Sequence, residues 1–285
     1  MNRAQKNRLK DKVFKGLGIT ATFLGIVILA IFIGFILYQG MERISWEFVM
    51  SLPSRFAEQS GIYTAWMGTV WVLVCTTLIS FPLGVGAGIY LEEYGKKNWW
   101  NTFLEINISN LAGVPSVIYG LLGLGVFVRM MKMGNSILAG SLTLSLLILP
   151  VIIVSTREAL RAVPSTIKEA SVAMGASKWQ TIWHQILPAS FGGILTGVIL
   201  ALSRAVGETA PLIVVGALVY VPFAPTSPLD EFTVLPVQIF NWVTRPQQEF
   251  VINAAAGIIV LLGITFVMNG IAVYLRNKWQ SKMNW

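Results

Sequence analysis

Charge is scarce in these 285 residues: 12% are Asp, Glu, Lys or Arg against 55% hydrophobic, and the mean hydropathy is +0.68. A soluble domain of this length keeps roughly a quarter of its residues charged, so a soluble chain is excluded and an integral membrane protein is expected. Cysteine occurs once, as Cys75 within an apolar run, which rules out an internal disulfide and a cysteine metal cluster. Histidine also occurs once, and His184 has no neighbouring ligand residues that would support a metal site or catalysis. The chain has no GxxxxGKS/T phosphate loop, so ATP hydrolysis is not expected in it. It has no compact aromatic-basic patch, and its net charge of +8 is spread over loop ends, which argues against nucleic acid. No repeat relates its two halves, which argues against an inverted-repeat carrier.

What is present is a set of apolar runs of about 20 residues, the length of a helix that crosses a bilayer. Continuous runs point to helices, since barrel strands are shorter and alternate. Six spans are expected at Leu17–Tyr38, Thr64–Tyr90, Leu111–Met131, Ile137–Thr156, Gly193–Val219 and Ala254–Leu275. The first is read as a retained span rather than a signal, because its apolar run is long and no small-residue cleavage site follows. An even number of spans puts both termini on one side. Fifteen Lys and Arg lie in the N-terminus, the loops after spans two and four, and the tail, against five on the other side. By the positive-inside rule the basic N-terminus (1–16), the loop 157–190 and the tail (277–285) are expected in the cytoplasm. Between spans one and two, Trp46, Phe48, Pro53 and Phe56 are expected at the outer interface, and Trp99, Trp100 and Trp279 are expected as interface anchors on the inner side. The proline-rich stretch 220–252 is expected outside, as a cap or as a receiver for a partner, with a short helix over Leu235–Val243.

Small residues four apart, Gly84 with Gly88 and Gly193 with Gly197, permit close helix approach. Span three opens Gly113-Val114-Pro115-Ser116 and continues through Gly120, Gly123 and Gly125, which fits either tight packing or a broken helix beside a cavity.

Two stretches demand more than membrane crossing. The loop 157–190 is too helical for a connector. Pro164 can start a helix carrying Ile167, Ala170, Ala173 and Met174 near one face, Gly175 turns it, and Lys178–Leu187 resumes as a second amphipathic stretch before Pro188. In the second stretch, Arg204 and Glu208 lie four apart and thus on one helix face, with Ser203 and Thr209 beside them. Counted from Gly193 at ~1.5 Å per residue, Arg204 falls near mid-bilayer. A lone arginine there costs about 2.5–3.5 kcal/mol, so it needs Glu208 or a wet cavity. A guanidinium offers paired donors to an oxyanion. The expectation is that the Arg204–Glu208 pair closes a path at rest and that rearrangement frees Arg204 for the anion. A purely structural pair is the alternative.

Glu169-Ala170-Ser171, then Gly175, then Leu187-Pro188, resembles the coupling-loop pattern of the membrane permeases of ABC importers; Ser171 stands where that pattern has alanine, and Gln185 where it has isoleucine. The run Gly175–Ile182, the start Val114-Pro115-Ser116 and the stretch Arg204–Leu212 are similar to the phosphate-specific permeases, and Thr209-Ala210-Pro211-Leu212 to their PstA type. The resemblance covers about Thr64–Arg276. It implies an all-α, six-span, type I ABC importer fold in a bacterial inner membrane, with a permease domain over 64–276. It also implies that Glu169, Ala170, Gly175, Ala176 and Lys178 dock an ATPase, and that Ser203, Arg204, Glu208 and Thr209 line the substrate pathway. The partners implied are a second permease of PstC type, an ATPase dimer of PstB type that binds the ATP and Mg, a phosphate-binding protein of PstS type, and lipid. No cofactor is implied in this chain. A permease for molybdate or sulfate, an ATP-independent channel or carrier, and a scaffold subunit with no pathway are the competing readings.

Overall fold

The computed structural model describes residues 3–96, 98–217 and 220–280, and within these the fold is helical. The end expected for span five (Leu218, Val219), the last five residues of the tail and the side chain of Trp279 lie outside the described residues. Helix α1 runs Arg3–Gly40, the short α2 Trp46–Met50, and α3 Tyr63–Ile89, the last continued by a π-helical turn over Tyr90–Tyr94. Next come α4 (Trp99–Leu111), α5 (Ser116–Gly123) with a π-helical extension over Leu124–Met130, and α6 (Ile137–Arg161). The loop after α6 folds as α7 (Ser165–Ala173) and α8 (Lys178–Thr181), and a π-turn over Ile182–Ile186 runs on into α9 (Leu187–Val206). Helices α10 (Ala210–Val215), α11 (Leu235–Val243) and α12 (Glu249–Gln280) complete it.

Five continuous helical stretches are long and apolar enough to span a membrane: Lys10–Arg43, Tyr63–Tyr94, Ile137–Arg161, Lys178–Val206 and Glu249–Lys278. The pair α4 and α5, bent by 104° at their junction, is long and apolar enough together to supply a sixth. Counting that pair as one span gives the six expected from the sequence, but the third then differs in form. Its helix does not begin at Leu111, because Pro115 lacks an N–H and biases Val114 away from helical angles. Leu111 instead ends α4, whose start is capped by the Asn98 side chain accepting from the Asn101 N–H at 3.0 Å. The buried Tyr119 donates its hydroxyl to the Leu111 carbonyl at 2.7 Å, closing the bend. Trp99, Trp100 and Phe103 stack on the exposed side of α4, as interface anchors would.

The core is organised on α6. Two-thirds of its apolar stretch (67%) is buried, against 6% for α1. Both glycine pairs face it: side chains on Gly84 and Gly88 would run into Ile152 and Thr156, and side chains on Gly193 and Gly197 into Ala159 and Ser155. Close approach of α3 and α9 to neighbouring faces of α6 therefore depends on the missing Cβ atoms. Hydroxyls add links between α3 and α6. Ser141 donates to the carbonyls of Val72 (3.3 Å) and Ile137 (2.8 Å), and Ser145 to those of Thr76 (3.4 Å) and Ser141 (2.7 Å).

At the end opposite the 157–190 loop, α2, α11 and the loops around them form a cap. Phe48, Ile62, Leu235, Trp242 and Phe250 are its core, so Phe48 is interior rather than interfacial, while Trp46 and Phe56 are exposed as expected. Arg43 donates to the carbonyls of Ala57, Glu58 and Ser60 and to Asn253 Oδ1, tying this cap to α12. The 220–234 stretch closes the start of α6, where the N–H groups of Ile137 and Leu138 donate to the carbonyls of Asp230 (3.1 Å) and Pro228 (2.8 Å). The Asp230 carboxylate accepts the N–H groups of Thr226 and Ser227, which hold its pKa below the ordinary aspartate value.

Candidate functional site

The charged pair sits at a helix break. Span five is not continuous: α9 ends at Val206, Gly207 follows it, and a new short helix starts at Ala210 with Pro211 in its first turn. Arg204 is thus in the last turn of a 29-residue helix that begins at Lys178, beside a break in span five rather than within a continuous helix. The polar-looking Lys178–Gln185 stretch belongs to the same helix, so that helix begins well before Gly193. A cation in a helix's last turn is favoured by the exposed carbonyls there.

Arg204 Nε lies 3.3 Å from Glu208 Oε1, and the two side chains differ in access: that of Arg204 is 46% exposed and that of Glu208 16%. The pair forms, but across the end of the helix rather than along one helix face, since Glu208 lies beyond Val206, and the guanidinium is partly exposed. Thr209 turns its hydroxyl to the Gly207 carbonyl at 3.4 Å. Ser203 faces elsewhere, donating to the Ile199 carbonyl and to Asn269 Oδ1 of α12, both at 2.7 Å. Two helical turns away Arg276 donates to Thr196 Oγ1 at 3.2 Å, so α9 and α12 are joined by two polar bridges that the sequence did not reveal. The two broken crossings meet here, since a Cβ on Gly120 of α5 would lie 2.8 Å from the Cα of Pro211 in α10. Tyr119 shares a buried apolar cluster with Ala201 and Ala205 on the turns next to Arg204.

At the other end, α7 and α8 make the expected two-helix knob, turned at Gly175 in a left-handed conformation (φ +87°) that glycine tolerates best. Glu169, Ala170, Gly175 and Lys178 are exposed and Ala176 is half-buried, so the residues singled out cluster on one protrusion. The expected apolar face divides. Ile167 packs inward with Leu160, Val163, Ile182 and Ile186, whereas Ala170, Ala173 and Met174 face outward. Val172, Trp179 and Trp183 add to this exposed apolar surface. Ser177 caps α8 in a reciprocal box with Gln180, and Ser171 Oγ lies 2.9 Å from Thr181 Oγ1. The second amphipathic stretch is the beginning of α9's helix and not a separate piece, because a π-turn over Ile182–Ile186 carries the helix through to Pro188, a local widening of the kind that accommodates a proline inside a helix.

Sequence reasoning missed the acidic residues that hold this loop. Glu92 accepts from Arg157 Nε (3.4 Å) and Arg161 Nε (2.8 Å), Glu105 from Arg157 Nη2 (2.6 Å), and Glu93 from Lys168. Lys178 Nζ lies 4.8 Å from the centre of the Tyr94 ring. The available signal was the pair of adjacent carboxylates ending an apolar run opposite four loop cations.

The family model described as "Binding-protein-dependent transport system inner membrane component" matches residues 80–281. The chain is 33% identical over 281 residues to the "Probable ABC transporter permease protein YqgI" of Bacillus subtilis (strain 168), covering 93% of this chain and 94% of that one. It is 34% identical over 225 residues to the "Phosphate transport system permease protein PstA" of Yersinia pestis, covering 79% of this chain and 75% of that one. Among solved structures, a chain of a bacterial alginate ABC transporter, in complex with an alginate-bound periplasmic protein, superposes with a TM-score of 0.69. It covers 97% of this chain and 98% of that one at 14% identity, a likeness of fold.

Proposed function

The chain belongs to the family of binding-protein-dependent transport system inner membrane components, and from that premise we propose that it forms half of the translocation path of an ATP-driven phosphate importer. The observation that carries the substrate is the 34% identity to a phosphate transport permease over most of both chains, joined to a guanidinium exposed at a helix break. The chain is a multi-pass membrane transport subunit and not itself an enzyme. It works with an ABC ATPase and a substrate-binding protein.

In finer detail, the partners are a PstC-type permease, a PstB-type ATPase dimer that binds the ATP and Mg, and a PstS-type binding protein. The membrane is the bacterial inner membrane, with 1–16, 157–190 and 277–285 in the cytoplasm and 220–252 outside. Glu169, Ala170, Gly175, Ala176 and Lys178 dock the ATPase. Arg204, paired with Glu208 at rest, is released to meet the anion during transport, with Thr209 at the turn and Ser203 bracing α9 against α12. The pair costs little to open, because a partly exposed ion pair contributes about 0–1 kcal/mol. Labelled-phosphate uptake by the assembled complex, with molybdate or sulfate in excess, tests the substrate. Uptake that needs ATP and resists both competitors is expected. Loss of uptake to either competitor assigns that oxyanion instead, and uptake without the ATPase returns the chain to the channel or carrier class.

A further inference from the structure

Every Lys and Arg between residues 157 and 190 is held by the segment that ends α3 and leads into α4. Glu92 takes the two arginines at the end of α6, Glu93 takes Lys168 in the middle of α7, and Tyr94 takes Lys178 at the start of α8. Three consecutive residues thus grip three successive parts of one loop. Consecutive side chains of an α-helix point about 100° apart. The wider turn of a π-helix, with its i→i+5 bonds, changes that spacing where Tyr90–Tyr94 ends α3.

The middle grip differs from its neighbours. Arg157 and Arg161 already belong to α6, which is packed on α3 through Gly84 and Gly88, so Glu92 reinforces an existing seam. Helix α7 is packed through Ile167 against the ends of α6 and α9, and through Ser171 against α8. Its ion pair to α3 is Lys168 to Glu93, one residue from the outward-facing Glu169. The Glu93 side chain is only 7% exposed and that of Lys168 32%. A carboxylate so withdrawn from water needs its partner, and removing either one leaves the other uncompensated.

We propose that Glu93 is a positioning residue of the coupling step, fastening α7 to the end of α3 so that displacement of the knob moves α3 and α6 together. Glu92 and Tyr94 hold the two flanks of the loop in register. This rests on the reading of the chain as an ATP-driven permease. Without the Glu93–Lys168 pair, the knob follows the ATPase while the spans lag, and ATP is hydrolysed without uptake.

The test is phosphate taken up per ATP hydrolysed by the complete complex in proteoliposomes. It compares wild type, Glu93→Gln, Lys168→Gln and the exchange Glu93→Lys with Lys168→Glu. A coupling pair of this kind predicts a fall of about tenfold in that ratio for either single variant, with hydrolysis retained, and recovery of most of it in the exchange. If Glu93→Gln does not assemble, Lys168→Gln removes the same pair from its more exposed end and is read in the same way. An unchanged ratio in the assembled single variants overturns the proposal, as does a parallel loss of uptake and hydrolysis that the exchange does not repair. A wild-type complex that hydrolyses no ATP and takes up none of phosphate, molybdate and sulfate overturns the reading of an ATP-driven oxyanion permease, and the proposal with it.

Discussion

The two charged regions of this chain are built in opposite ways. Around the 157–190 loop, Glu92 and Glu105 share Arg157 and Arg161 in one network, and Glu93 holds Lys168 in a separate pair, with Glu93, Glu92 and Arg157 well covered. At the α9 break, one arginine meets one carboxylate four residues on, through a single 3.3 Å bond, and is nearly half exposed. A network of shared partners resists the loss of any one bond, whereas a lone pair at a surface separates easily. The loop end thus has the build of a transmission that must not slip, and the break that of a latch that must open. Both are attached to the same rigid element, since α3 and α9 pack on neighbouring faces of α6 through glycine contacts.

If α6 is the shaft between the two regions, spoiling its seams should disable both at once. Gly197→Val drives a branched side chain into Ser155. Overpacking of this kind costs about 1–3 kcal/mol, and the expected result is loss of assembled complex from the membrane, read by quantitative recovery of the intact complex. Next in size, Arg204→Lys keeps the charge but loses the planar fork that matches an oxyanion. Uptake at low phosphate should fall by about tenfold with the protein level unchanged, since hydrogen bonds to charged groups are worth about 1.5–3 kcal/mol. Equal uptake by the lysine variant would show that charge alone serves the latch.

Ser203→Ala should separate the two faces of α9. It removes the bridge to Asn269 without touching the Arg204–Glu208 bond, so a loss of about 0.6 kcal/mol in thermal stability is expected with transport preserved. A transport defect larger than that loss would put Ser203 back on the pathway. The smallest effect concerns the cap. Because the Asp230 pKa is depressed in the folded chain, its contribution is present above the unfolded carboxyl pKa of about 3.9 and is lost as pH falls through the lower folded value. Hydrogen exchange at the Thr226 and Ser227 amides should stay slow down to that range and quicken below it. In Asp230→Asn it should be faster at every pH, without the acid transition.

Much of this architecture was legible in the chain itself. Runs of apolar residues located the five continuous candidate spans, glycines four apart marked the seams on α6, and Gly175 marked the turn of the knob. What hydropathy could not carry was direction. Gly113-Val114-Pro115 interrupts a run that reads as continuous, and the 104° bend there appears only when helix angles are considered. Conversely, the polar residues Lys178–Gln185 disguised a helix that continues unbroken into α9, so that Arg204 stands at the end of a helix and not inside one. Ser203 adjoins Arg204 in sequence but lies about 100° around the helix, and so faces α12. Nothing in the sequence singles out the partners of Glu92 and Glu93, because they lie more than sixty positions away.

The central claim is that Arg204 serves the anion's path while the loop serves the ATPase, and it is tested most directly by Arg204→Gln in the complete complex. Labelled-phosphate uptake at low external phosphate and ATP hydrolysis would be measured side by side on matched amounts of assembled protein. The account predicts that uptake falls by roughly ten- to a hundredfold, the worth of a charged hydrogen bond, while hydrolysis continues. Uptake equal to wild type would contradict it and leave the Arg204–Glu208 pair a structural feature of the break.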